Sequence, residues 1–184
     1  PSPSNHSATL GALAYLHNTR DLGIKFNGNR PDIEVYSDAS WGSSPTPFAG
    51  HIIKYCGAAI SYSARKLKII PQSSAEAEIA AYTNAAKDLR FVLNVLEFLE
   101  AEYKLPATIF CDNSATVASI KNPGVKGRTR HYDNWIWFGR KQYLDRVSIP
   151  MWISTEDQIA DMMTKALEKN EFVKFRNLAL GASS

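Results

Sequence analysis

Three strand-like runs separated by short turns occupy residues 33–63, and a long amphipathic helix follows them. The runs cover 33–38, 48–55 and 58–63, with Gly57 as the turn between the last two. Short turns join antiparallel strands, whereas strands that alternate with helices pair in parallel. Later the pattern alternates, with strands at 108–112 and 147–153 and helices at 113–121, 132–145, 155–167 and 172–180. We therefore predict an α/β fold, a five-stranded mixed sheet with three antiparallel and then parallel strands, flanked by helices.

The composition narrows the function only slightly. The chain has 184 residues, enough for one domain with a core, and a formal net charge of +3, too small by itself to indicate nucleic-acid binding. No apolar run approaches the roughly 20 residues of a membrane span, so we expect no membrane partner. Cys56 and Cys111 have neither metal-ligand spacing nor a disulfide pattern, so we expect two buried thiols in a reducing compartment.

Two aspartates stand where predicted strands end. Asp38 ends the first strand and Asp112 ends the fourth. Ligands of open sheets gather at the carboxyl ends of parallel strands, so both carboxylates project from one edge if these strands are neighbours. The alternative is that each aspartate only caps the next segment of the chain, because Asp112-Asn113-Ser114 is a good helix-capping sequence.

Helical geometry separates the two glutamates at the start of the long helix. Glu76 forms a capping box with Ser73 and lies on the polar face. Glu78, two residues later, points to nearly the opposite side, in line with Tyr82 and the apolar face. A charged carboxylate on a buried apolar face needs a partner of opposite charge or hydrogen-bond donors to offset its lost hydration. A metal ion beside Asp38 and Asp112 would supply it, and a buried ion pair with an Arg or Lys is the alternative.

The predicted helix at 155–167 contains one further acidic residue of interest. Thr155 and Gln158 form a second capping box at its start. Asp161 lies away from the apolar stripe of this helix, which is usual for a solvated side chain. Periodicity therefore assigns Asp161 no role.

Basic residues cluster in two places that suit phosphate binding. Arg65 and Lys66 precede the long helix, and a basic loop follows Asp112 and Asn113. The loop carries Lys126, Arg128, Arg130 and His131. A merely solvated loop is the alternative. We expect the four tryptophans to lie in the core rather than to stack on bases; they are Trp41, Trp135, Trp137 and Trp152.

Six ordered motifs resemble the ribonuclease H domain of copia-type LTR retrotransposon polyproteins. They are YSDASWG at 36–42, AAISYSARK at 58–66, QSSAEAEIAA at 72–81, IFCDNSATVASIKNP at 109–123, GRTRHYD at 127–133 and STEDQIADMMTKAL at 154–167. The segment at 10–26 resembles the connection to a reverse transcriptase. We accordingly expect a connecting segment with a short helix at 1–30, a ribonuclease H domain at 31–167 and a C-terminal helix and tail at 168–184. The missing initiator Met leads us to expect a piece of a longer chain.

The resemblance implies an Asp-Glu-Asp-Asp metal site. Matched motif by motif, the site comprises Asp38, Glu78, Asp112 and Asp161. It implies hydrolysis of the RNA strand of an RNA–DNA hybrid by two Mg²⁺ ions, with Mn²⁺ expected to substitute. Asp38 would bridge the ions, Glu78 and Asp112 would hold one, and Asp161 the other. Related enzymes usually carry a His shortly before the fourth carboxylate. Residues 150–160 contain none, and His131 is the nearest candidate.

The resemblance also implies partners and a location. The partners are the RNA–DNA hybrid, contacted through Arg65, Lys66, Asn113 and the basic loop, and the reverse transcriptase domain of the same polyprotein. The location is intracellular, in a cytoplasmic particle or the nucleus. Two alternatives remain open: a nucleic-acid-binding tether with weak catalysis, and a related nuclease that acts on DNA.

Overall fold

The computed structural model of the chain describes residues 2–28, 30–42, 46–122 and 132–182. Within these ranges strands and helices follow one another in the predicted order, except that two short 3₁₀ turns occupy the segment predicted as a helix at 155–167. The elements are α1 (Pro3–Asn18), β1 (Ile33–Ala39), β2 (Phe48–Tyr55), β3 (Ala58–Lys66), α2 (Ser74–Phe98), β4 (Ala107–Cys111), α3 (Ser114–Lys121), α4 (Asp133–Leu144), β5 (Ser148–Trp152), two 3₁₀ turns (Thr155–Asp157 and Ile159–Met163) and α5 (Lys169–Ala179). No helix in the described ranges is long and apolar enough to cross a membrane.

The five strands form one mixed sheet in the order β3-β2-β1-β4-β5. β1 pairs antiparallel with β2, and β2 with β3, whereas β4 runs parallel to both β1 and β5. The predicted fold class is therefore confirmed. Because β1 and β4 are parallel neighbours, their carboxyl ends meet at one edge of the sheet.

Helix α2 builds the larger core on one face of the sheet. Ser73 caps it, because the Ser73 hydroxyl accepts a hydrogen bond from the Glu76 N–H at 3.3 Å. The predicted apolar face is buried, and it packs against β1 and β4 through Val35 and Ile109. Its buried members are Tyr82, Ala85, Leu89, Val92, Leu93 and Leu96.

Helix α5 and the second 3₁₀ turn cover part of the opposite face. Phe175 is fully buried there beside Ile52 and Ile159. Residues before β1 reach the same region, since the Lys25 N–H donates a hydrogen bond to the Leu180 carbonyl at 2.8 Å. The division at residues 30 and 167 into a connecting segment, a domain and a tail stays a prediction.

The predicted helix at 155–167 is wrong. The chain forms two short 3₁₀ turns, and Gln158 between them has a non-helical backbone with ψ near 88°. The Gln158 side chain is fully buried, and its amide donates to the Ser37 carbonyl on β1 at 3.0 Å. This attachment to the sheet replaces the predicted capping box and prevents a continuous helix.

Candidate metal centre

The four carboxylates predicted to form a site converge at the carboxyl edge of the sheet. Their oxygens, together with the Cys111 sulfur, form two sets, in each of which the potential ligand atoms lie within 4.8 Å of one another. One set is Glu78, Cys111 and Asp112, and the other is Asp38, Asp112 and Asp161. Asp112 therefore joins a set on the α2 side of the sheet to a set near the 3₁₀ turns.

Asp38 is the penultimate residue of β1 and is only 1% exposed. The Thr164 hydroxyl donates a hydrogen bond to Asp38 Oδ2, and Lys165 Nζ lies 3.6 Å from Oδ1. Burial raises the pKa of the Asp38 carboxyl above its usual value, although Thr164 and Lys165 oppose this shift. An ionised Asp38 therefore depends on nearby positive charge.

Glu78 lies on the buried face of α2, as the helical pattern predicts. One carboxylate oxygen accepts a hydrogen bond from the Ala39 N–H at 3.3 Å, and the Cys111 thiol donates to the other at 3.8 Å. Burial, followed by the charges of Asp38 and Asp112, raises the Glu78 pKa to about 9. The alternative of a direct ion pair is not observed, because no Arg or Lys among the described residues lies within 4 Å of its carboxylate oxygens.

Asp112 directly follows β4 and is half-buried. Its Oδ2 accepts a hydrogen bond from the Thr155 hydroxyl at 3.1 Å. Asp112 does not cap α3. The neighbouring residue does, because Asn113 Oδ1 accepts the hydrogen bond from the Thr116 N–H at the start of the helix. Asp112 is thus left to face the other carboxylates.

Asp161 is 2% exposed, so the expectation of a solvated side chain is wrong. In a 3₁₀ turn, residues three apart lie on the same side. Gln158, Asp161 and Thr164 follow this spacing, and the first and last contact β1. Burial, followed by the Asp38 charge, raises the Asp161 pKa to about 6. The change from α to 3₁₀ geometry therefore turns Asp161 inward.

Sequence reasoning missed three residues that support this site. Gln158 and Thr164 attach the 3₁₀ segment to β1, and Lys165 places its ammonium 3.0 Å from Asp161 Oδ2. The three-residue spacing of Gln158, Asp161 and Thr164 is a signal that an α-helical interpretation overlooks. Nothing in the local sequence marks Lys165 as inward-facing.

The donor set suits a hard divalent cation. Carboxylate oxygens are the ligands that Mg²⁺ prefers, and buried carboxylates held close together need positive charge between them. Asp161 Oδ1 is buried and has no hydrogen-bond partner among the described residues. An unsatisfied buried acceptor in a cluster of carboxylates is the arrangement expected of a ligand without its ion.

The predicted nucleic-acid-binding residues are only partly described. Arg65 and Lys66 are exposed at the end of β3. They line a groove of about 360 Å³ between β3 and α2, together with Lys87 and Trp135. Ala49, also in the groove, pairs with Ala39, the residue after Asp38. The groove therefore lies beside the carboxylates. Asn113 is half-buried next to Asp112, and Lys126, Arg128, Arg130 and His131 lie outside the described residues.

The expectation of a core location is wrong for three of the four tryptophans. Trp41, Trp137 and Trp152 are 49–59% exposed, and only Trp135 is half-buried. Two of the exposed rings lie close to a carboxylate residue, one in the chain and one in space. Trp41 follows Asp38 by three residues, and Trp152 Nε1 donates to the Asp112 carbonyl at 3.0 Å. An exposed ring that is anchored by its N–H leaves its faces open to solvent.

Comparisons with known proteins agree with this architecture. No protein-family model matches the chain. The retrovirus-related Pol polyprotein from transposon RE2 of Arabidopsis thaliana is 31% identical over 179 residues, a match that covers 95% of the chain and 12% of the polyprotein. LC11-RNase H1, isolated from compost, is 18% identical with a TM-score of 0.57, covering 73% of this chain and 93% of that one. Its complex with an RNA/DNA hybrid is 17% identical with a TM-score of 0.55, covering 72% and 94%.

The two kinds of match carry different information. The structural neighbours are too distant in sequence to show more than the fold. The polyprotein match covers almost the whole chain, although the chain spans only about 12% of that relative. The chain is therefore homologous to a segment of the retrovirus-related Pol polyproteins of copia-type transposons, and it has the ribonuclease H fold.

Proposed function

We propose that this domain hydrolyses the RNA strand of RNA–DNA hybrids in a reaction that depends on divalent metal ions. The observation that carries the proposal is the convergence of four carboxylates, three of them buried, at the edge of a ribonuclease H sheet. Buried acidic groups destabilise a fold unless they are compensated, so their presence together indicates a function.

Asp38, Glu78, Asp112 and Asp161 would hold two Mg²⁺ ions, for which Mn²⁺ would substitute. When bound, the ions would supply an activated water nucleophile and stabilise the charge on the leaving oxygen. Other residues of the chain position these carboxylates. Thr164 orients Asp38 through its hydroxyl, and the Ala39 N–H orients Glu78. Gln158 holds the segment that carries Asp161 against β1.

The groove beside the carboxylates supports a nucleic-acid substrate. Arg65 and Lys66 would contact backbone phosphates, which contribute affinity without sequence preference. LC11-RNase H1, a protein of the same fold, is known in complex with an RNA/DNA hybrid. Preference for a hybrid would come from groove shape and from contacts with 2′-hydroxyls.

The polyprotein relatives support a role for this reaction in retrotransposon replication. A ribonuclease H within a Pol polyprotein would remove the RNA strand after reverse transcription, with the reverse transcriptase domain of the same polyprotein as its partner. An intracellular location, in a particle or the nucleus, follows from this proposal.

A cleavage assay tests the proposal. RNA–DNA hybrid, double-stranded RNA and double-stranded DNA, each end-labelled, are incubated with the protein in Mg²⁺, Mn²⁺ or EDTA. We expect cleavage of the RNA strand of the hybrid in either metal and none in EDTA. Asp38→Asn should abolish it, whereas Asp145→Asn, which changes an exposed carboxylate just after α4, should retain it.

Other outcomes identify the alternatives. Binding of the hybrid without metal-dependent cleavage indicates a tether domain. Preferential cleavage of double-stranded DNA indicates a DNA nuclease. Full cleavage by Asp38→Asn from a clean preparation contradicts the assigned site.

A further inference from the structure

Lys165 carries the only cationic side chain within ion-pair distance of the carboxylate cluster, among the residues that the structure describes. Its ammonium lies 3.0 Å from Asp161 Oδ2 and 3.6 Å from Asp38 Oδ1. It therefore stands between the two aspartates of the set that also includes Asp112. The singly charged Lys165 ammonium therefore lies where these carboxylates would hold a divalent ion.

The charges around Lys165 show why it is drawn inward. Asp38 and Asp161 are nearly fully buried, and one ammonium serves both of them. Removing the partner of a buried charge is strongly destabilising, because the remaining charge has neither water nor a counter-ion. In the absence of metal, Lys165 thus places a positive charge against both aspartates and helps to hold the 3₁₀ segment in place.

The Lys165 side chain is also able to move away from the two aspartates. Its side chain is 39% exposed, whereas those of Asp38 and Asp161 are 1% and 3% exposed. A lysine has a flexible four-carbon stem and can extend its ammonium into water at little cost. The aspartates are held by the sheet and the 3₁₀ segment and do not have this freedom. A cation that arrives would therefore displace the ammonium rather than rearrange the carboxylates.

We propose that Lys165 is an internal counter-cation of the carboxylate cluster, which stabilises the metal-free protein and competes with divalent metal for Asp38 and Asp161. This inference rests on the proposed metal-dependent function. It makes Lys165 a determinant of metal affinity rather than a catalytic residue. Its removal should weaken the metal-free fold and tighten metal binding, two effects of opposite direction.

The test measures metal binding and stability without nucleic acid. Mn²⁺ is titrated calorimetrically into chelator-treated wild-type protein and the Lys165→Met variant, and thermal unfolding is followed in EDTA. We expect the variant to unfold at a lower temperature in EDTA and to bind Mn²⁺ about tenfold more tightly, because both competition and charge repulsion are removed. Lys165→Arg, which keeps the charge, should bind Mn²⁺ as weakly as the wild type.

Lys141→Met is the matched control, because Lys141, which lies on α4, also makes an ion pair at 3.0 Å with an aspartate four residues later in the chain. It should change neither Mn²⁺ affinity nor the metal-induced shift in unfolding temperature. Unchanged or weaker Mn²⁺ binding by Lys165→Met overturns the inference and leaves the proposed function intact if the wild type binds Mn²⁺. If neither the wild type nor Lys165→Met binds Mn²⁺, both the inference about Lys165 and the proposed function are overturned.

Discussion

Glu76 and Glu78 lie two residues apart on α2 and have opposite surroundings. The Glu76 carboxylate accepts a hydrogen bond from the Gln72 N–H at the helix start, whereas Glu78 faces Asp38 and Asp112. We predict that Glu78→Gln lowers metal-dependent cleavage at least a hundredfold, because an amide lacks the charge that holds a divalent ion.

The matched substitution Glu76→Gln should change cleavage less than twofold, since glutamine can still accept the capping hydrogen bond. Both variants are compared on the same labelled hybrid at saturating Mg²⁺. Equal losses in the two variants would show that helix stability, and not the position of the carboxylate, controls activity.

Gly50 allows the 3₁₀ segment to approach the sheet. It pairs with Asp38 across β1 and β2, and a Cβ there would lie 2.5 Å from Met163 Cβ and 2.8 Å from Thr164 Cγ2. We predict that Gly50→Ala costs about 1–3 kcal/mol of unfolding free energy, because the segment must move outward. Chemical denaturation measures the loss.

Gly11 on α1 is the control for that substitution. A Cβ at Gly11 meets no atom within 4 Å, so Gly11→Ala should be neutral or slightly stabilising. Because the outward movement carries Thr164 and Asp161 with it, Gly50→Ala should also reduce the rise in unfolding temperature caused by Mg²⁺. An unchanged rise would contradict this coupling.

At the scale of elements, the two 3₁₀ turns form the least regular part of the site, and they determine the orientation of Asp161. They depend on Gln158, whose side chain donates to the Ser37 carbonyl and accepts from the Ala160 N–H. We predict that Gln158→Ala costs about 1–3 kcal/mol, because it leaves buried backbone groups without partners. Thermal and chemical unfolding measure this loss.

Gln142 provides the comparison, because it too is a buried glutamine whose amide donates to a backbone carbonyl, that of Ala86, at 2.9 Å. Gln142→Ala should destabilise the fold similarly. Only Gln158→Ala should also weaken Mn²⁺ binding, since only Gln158 positions the segment that carries Asp161. Parallel losses of Mn²⁺ affinity in both variants would argue for a general effect of stability.

At the scale of the whole molecule, charge is distributed unevenly although the net value is only +3. Arg65, Lys66, Lys68 and Lys87 line the groove next to the carboxylates. If Arg65 and Lys66 each contact a phosphate, the double substitution to Ala should lower hybrid affinity and reduce the slope of log affinity against log salt by about 2.

The control variant is Lys104→Ala. Lys104 precedes β4 and pairs with Asp32 before β1, which places it at the opposite edge of the sheet. Its loss should leave both the affinity and the salt slope unchanged. Binding is measured with a hybrid in EDTA over a range of salt concentrations, so that cleavage does not interfere. An unaltered slope in the Arg65 and Lys66 double variant would show that these groove residues do not contact phosphates of the hybrid.

Local patterns in the sequence were sufficient for most of the fold and for three carboxylates. Strand alternation and turn residues predict β1 to β3, and the 3.6-residue period of α2 separates Glu78 from Glu76. The ends of β1 and β4 predict the positions of Asp38 and Asp112. These features depend on near neighbours in the chain, so the sequence expresses them directly.

The tertiary structure alone decided the conformation of residues 155–167 and with it the orientations of Asp161 and Lys165. A helical interpretation of that segment follows its apolar residues, but the segment is held by contacts more than 100 residues away in the chain, from Gln158 to Ser37 and from Thr164 to Asp38. The space for these contacts exists because residue 50, on another strand, has no side chain. Local periodicity contains no information about such distant partners, whereas packing against the sheet determines which side of the segment is buried.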